Sequence, residues 1–64
     1  MKHVKPKCKL LGTDGNVFSI IGRVRRALRR AHQPHRAEEF SRKAHSSKSY
    51  DEVLALVGEY VDVE

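Results

Sequence analysis

The stretch NVFSIIGRVRRALRRA, Asn16 to Ala31, admits two readings, and the choice between them decides the fold. Asp14-Gly15 immediately before it is a strong hairpin signal and would make NVFSII a second strand. The later residues decide against that. On a helical wheel Val17, Ile20, Ile21, Val24, Ala27, Leu28 and Ala31 fall within one arc of roughly 120°, the pattern of a core-facing helix. Asp14 or Asn16 then serves as N-cap, its side-chain oxygen accepting an orphan backbone N–H. The first and longest helix therefore runs from Asn16 to about Ala31, with Gly22 as a tolerated weak point.

The opposite side of that helix is all arginine. Arg25, Arg29, Arg26, Arg30 and Arg23 sweep across its polar arc, and no acidic residue on the helix relieves them. The i,i+4 pairs Arg25–Arg29 and Arg26–Arg30 each cost a few tenths of a kcal/mol (about 0.2–0.5). Ordinary solvated faces mix Glu with Lys, so an unmixed face of planar, bidentate guanidiniums asks for a reason.

Working towards the N-terminus, HVKPKCKLLG alternates with a period of two: Val4, Pro6, Cys8 and Leu10 on one face, Lys5, Lys7 and Lys9 on the other. This predicts a half-buried strand ending at Gly12. Pro6 cannot donate to a ladder, so the strand belongs at a sheet edge or begins its pairing after Pro6. Cys8, pointing away from its lysine neighbours, reads as a small buried residue.

Working towards the C-terminus, HQPHR breaks the first helix. Pro34 forces Gln33 out of helical geometry and suits the first turn of a second helix, about Pro34 to His45. Ala37, Phe40 and Ala44 form its buried stripe, and Glu38–Arg42 and Glu39–Lys43 pair along its surface. After a loop, SYDE is a capping box: Ser49 caps the N–H of Glu52, whose side chain returns to Ser49. The third helix runs from Tyr50 to about Tyr60, with Tyr50, Val53, Leu54, Leu56, Val57 and Tyr60 supplying core. VDVE reads as a short terminal strand or an extended tail. Beside the first strand it would set Asp62 and Glu64 opposite Lys5, Lys7 or Lys9. The expected fold is α+β, a single domain over residues 1–64 in the order strand, three helices, strand; an all-α three-helix bundle is the alternative.

The net charge of +5 is unevenly laid out. Thirteen cations lie between Lys2 and Lys48 against Asp14, Glu38 and Glu39, a balance of +10, whereas Ser49 to Glu64 holds five acids and no base, −5. Such a chain attracts polyanions with one part and repels them with the other. One cysteine excludes an internal disulfide and suits a reducing cytosol. No run has the length of a membrane span, and the lysine-rich start lacks a secretory signal's apolar segment, so the expected setting is cytoplasmic.

Three explanations of the arginines follow. Glu59, Asp51 or Asp62 could fold back and satisfy them; they could track nucleic-acid phosphates; or they could dock on an acidic protein surface. Phe18 lies beside Gly22, Arg25 and Arg29, where an open ring would stack on a base, but a covering neighbour is the expectation. His32, His35 and His45 with Cys8 make a weak metal template, and no metal or cofactor is expected. GTDGN ahead of the first helix resembles an anion cradle but lacks a phosphate-loop lysine, and it reads as a cap. No catalytic constellation stands out; a small ribonuclease using His, Arg and Tyr50 is the nearest enzyme reading, and we expect none. The reading is a non-catalytic module with little sequence specificity, contacting nucleic acid or a nucleoprotein through Arg23, Arg25, Arg26, Arg29 and Arg30, with Lys5, Lys7 and Lys9 as a second patch. With so small a core, a dimer through an exposed part of the third helix is also open.

With LLGTDGNVFSIIGRVRRALRRA, then EEF and SYDEVLALVGEYVDVE, the chain resembles a group of short proteins of bacterial, phage and other mobile-element genomes. They share a Gly-x-Asp-Gly-Asn-x-Phe start, an Arg-Ala-Leu-Arg helix and a Tyr-Asp-x-x-Leu third helix. The resemblance spans most of the chain from Leu10 onward and is most specific from Gly12 to Phe18. It implies no activity and no active site. Its phage-like setting implies one variant of the docking reading, an inhibitor of a host nucleic-acid-handling complex such as a CRISPR effector. This chain departs from the group at HQPHRA, where relatives tend to carry a Gly and a more acidic helix start.

Overall fold

The structure is a computed structural model that describes residues 5–10 and 16–64. Its elements are β1 (Lys7–Cys8), α1 (Val17–Arg30), α2 (Pro34–His45), α3 (Tyr50–Tyr60) and β2 (Asp62–Val63). This is the expected strand, three helices, strand order of an α+β domain.

Asn16 begins α1. Its backbone is extended, and its side-chain oxygen accepts the Phe18 N–H at 2.8 Å. The alternative cap Asp14 and the GTDG turn lie outside the described residues, as does Val4. The first strand is shorter than expected, pairing only over Lys7–Cys8 and stopping before Lys9 and Leu10, because its partner at the C-terminal segment offers just Asp62–Val63. The apolar arc of α1 goes inward as read, with Ile20, Ile21, Val24, Ala27 and Leu28 buried and Val17 packed at its edge. At the other end His32 takes a left-handed conformation, φ 62°. Its N–H bonds the Arg29 carbonyl at 3.0 Å and the Gln33 N–H bonds the Leu28 carbonyl at 2.9 Å. This is the paired C-terminal motif usually built on glycine. It satisfies two end carbonyls and turns the chain into Pro34, the first residue of α2.

On α2 the stripe Ala37, Phe40 and Ala44 is buried, as expected. Phe40 is wholly inaccessible and meets Tyr60 of α3 edge-on, ring centroids 5.5 Å apart. Ser49 caps α3, accepting the Glu52 N–H at 3.2 Å, and its hydroxyl donates to the Glu52 carboxylate at 3.4 Å. Only part of α3 is core. Val53, Val57 and Tyr60 are buried, Leu56 is half-buried, and Tyr50 and Leu54, expected inside, stand 44% and 41% exposed. A helix backed by neighbours on one side buries one stripe, and Leu54 lies roughly a quarter-turn away from it. Val61 beyond the helix joins the core instead.

The two strands pair in parallel, Lys7 beside Asp62 and Cys8 beside Val63, so all three helices form the crossover between them. The Asp62 N–H bonds the Pro6 carbonyl and the Glu64 N–H bonds the Cys8 carbonyl, both at 3.0 Å. The strand begins after Pro6, and that proline serves as acceptor only, the one ladder role left to it.

Candidate functional site

The arginine face of α1 is divided by what packs beside it. Toward α2, Arg29 donates to the Glu38 carboxylate at 3.1 Å, and Arg25 lies 3.7 Å from the same oxygen. The Nε of Arg25 is buried there without an acceptor. The expected pair Glu38–Arg42 gives way to this arrangement: one carboxylate between two guanidiniums of a neighbouring helix sits in a stronger field than one beside a single helical neighbour. The partner pair Glu39–Lys43 forms as read, at 3.8 Å.

Toward β1 the arrangement is open. Lys7, Lys9, Arg23, Arg26 and Arg30 line one groove of about 230 Å³, with Cys8 and Ala27 in its wall and Glu64 at its end. Strand alternation sends Lys7 and Lys9 outward on the same flank that α1 presents Arg23 and Arg30. The two patches read separately in the sequence therefore become one. Lys5 leaves it, donating to the Gly58 carbonyl of α3 at 3.0 Å. Glu64 lies 3.8 Å from Lys7, with both side chains largely exposed. Among the described residues, no ion pair engages Arg23, Arg26 or Arg30. Arg26, in the middle of the face, also lines a shallower recess with Gly22, Arg25 and Arg29.

Self-neutralisation of the arginines through Glu59, Asp51 or Asp62 is thus absent from the ion pairs of the described residues. The carboxylate that quenches part of the face is Glu38, on α2. Local spacing gave no signal for this, because the contact depends on how two helices cross.

Cys8 is buried, as expected, and burial pushes its thiol above the ordinary value although Arg23 and Arg30 pull the other way. Burial thus favours the neutral thiol, as for a small packing residue in the groove wall. Tyr60 ties α2 to α3. Its hydroxyl donates to Glu39, and the Arg36 guanidinium lies over its ring at 4.7 Å. Burial, then the Glu39 bond, raise the Tyr60 phenol; Tyr60, then Lys43, hold Glu39 below the usual carboxylate range.

Phe18 departs from expectation. The ring is 67% exposed, touching only the tilted ring of His45 at 6.0 Å among the described aromatic contacts. The histidines do not converge: His32 serves the turn after α1 and His45 lies beside Phe18, and no group of three or more His, Cys, Asp or Glu among the described residues is placed to hold a metal ion. No helix among the described residues is long and apolar enough to cross a membrane. No family model, no curated protein and no solved structure matches the chain.

Proposed function

We propose that this domain is a non-catalytic binding module that grips nucleic-acid phosphates through Arg23, Arg26 and Arg30 of α1 together with Lys7 and Lys9 of β1. One observation carries the reading: five cations line a single groove with one carboxylate among them, and the three arginines have no ion-pair partner among the described residues. Holding like charges this close costs stability, and a polyanion repays the cost by replacing their counterions. Guanidiniums fork onto phosphate oxygens, and lysines add point charges. Contacts of this kind position a polymer without reading its bases. Arg25 and Arg29, shared with Glu38, are second-rank contributors.

The test is affinity for a generic polynucleotide as a function of salt. Engagement of three to five phosphates predicts a log–log slope of about −3 to −4.5 on duplex. Arg26→Glu with Arg30→Glu should remove binding and leave the fold intact by circular dichroism, since neither residue makes an ion pair among the described residues. A protein that ignores both duplex and single strand at low salt, yet retains one acidic protein through nuclease treatment in a pull-down, overturns this reading in favour of docking on a protein surface.

A further inference from the structure

We infer that the polymer is single-stranded and that one unpaired base stacks on Phe18; this rests on the phosphate-binding reading above. Phe18 opens a cleft of about 340 Å³ where the start of α1, the end of α2 and the start of α3 meet, with His45 and Tyr50 as its other aromatic walls. A cleft of this size suits a small flat molecule. Two of its three rings are substantially open, Phe18 at 67% and Tyr50 at 44%. Among the described residues Lys48 borders it and no carboxylate does. Asp51 and Glu52 follow Tyr50 on α3 but lie outside that lining.

The cleft is also in line with the arginines. Phe18, Gly22, Arg25 and Arg29 follow one another along a single edge of α1, so the ring stands about 10 Å from the level of Arg25 at 1.5 Å per residue. Arg26 stands about 80° and Arg30 and Arg23 about 120–140° further round α1 from Phe18 at about 100° per residue, so a strand held in the β1 groove reaches the ring by crossing α1 over Arg26, Arg25 and Arg29. In a duplex the bases are stacked inside and offer no face to an exposed ring without being flipped out. In a single strand every base has one to offer, whatever its identity. An aromatic ring and a cationic track side by side form the arrangement by which single strands are held without sequence preference.

The experiment is fluorescence anisotropy with three labelled probes: an oligo(dT) strand, an abasic strand of the same length, and a blunt duplex. Phe18→Ala should weaken oligo(dT) binding roughly 5- to 100-fold, to the level of the abasic strand, and leave the other two unchanged. Phe18→Trp should retain affinity and, as the only indole in the chain, lose fluorescence when oligo(dT) is added. If Phe18→Ala weakens all three probes alike or none, or the indole is unaffected, stacking is wrong while phosphate binding stands. If the wild-type protein binds no probe at low salt, the phosphate reading fails and stacking falls with it. An apolar peptide that competes for the indole where oligo(dT) does not would give the cleft to a protein partner.

Discussion

Arg29 and Arg25 of α1 converge on one carboxylate oxygen of Glu38, at 3.1 and 3.7 Å, so that α2 neutralises one edge of the arginine face while the edge over β1 is left open. The side chains are 57%, 38% and 60% exposed, and screening keeps such contacts to about 1 kcal/mol or less. Their consequence is for charge distribution more than for stability.

Glu38→Gln should therefore leave the melting temperature nearly unchanged while tightening polynucleotide binding several-fold. Releasing Arg25 and Arg29 adds up to two phosphate contacts and steepens the salt slope by about 1 to 2. A titration of wild type and variant across salt concentrations reads both effects; an unchanged slope would mean that the two arginines stay out of the interface.

The glycine in α1 and the left-handed residue after it are both misplaced for stability. A Cβ at Gly22 would meet nothing within 4 Å, so Gly22→Ala should stabilise by about 0.5–1 kcal/mol. His32 holds φ 62°, which costs a side chain about 1–2 kcal/mol, while glycine's added freedom in the unfolded chain returns part of that. His32→Gly should gain up to about 1 kcal/mol, and His32→Val should lose more than that. Chemical denaturation measures all three.

Phe40 tests the packing of α2 on α3. It is fully buried against Tyr60, and Phe40→Ala should cost about 3–5 kcal/mol. That is comparable to the whole stability of a domain this small, about 3–5 kcal/mol, so the variant should be largely unfolded by circular dichroism. Phe40→Leu should stay folded with a lower melting temperature.

Stability should fall at both ends of the pH scale. The Glu39 carboxylate is held low by the Tyr60 hydroxyl and then by Lys43, so its contribution is present above the unfolded value of about 4.3 and is lost as pH falls through the folded value. Tyr60 is raised by burial and then by Glu39, so its contribution is full below about 10 and is lost as pH rises through the folded value. Buried Cys8 acts in the same sense from about 8.5 upward. Thermal melts of Tyr60→Phe should show the alkaline decline reduced to the parts due to Cys8 and to Lys43, which Glu39 still holds raised, and a weaker acid decline because Glu39 has lost its donor. A variant that melts like wild type at every pH would show that the Tyr60–Glu39 bond carries no stability.

The sequence by itself determined whatever depends on near neighbours along the chain. The 3.6-residue recurrence of Val17, Ile20, Ile21, Val24, Ala27 and Leu28, Asn16 and Ser49 as caps, Pro34 as the start of α2 and the lysine alternation around Cys8 were all local, and the elements formed where those signals stood. Tertiary structure decided what depends on the distance between elements. The parallel pairing of β1 with β2 brought Lys7 and Lys9 to the arginine flank, and the α1–α2 crossing gave Glu38 to Arg25 and Arg29 in place of Arg42. The packing of three helix ends left Phe18 and Tyr50 open. Side-chain periodicity specifies which face of an element is apolar. Which residues of that face find a neighbour, and which charges meet, depends on crossing angles and on where the chain ends meet, and neither is written in local spacing.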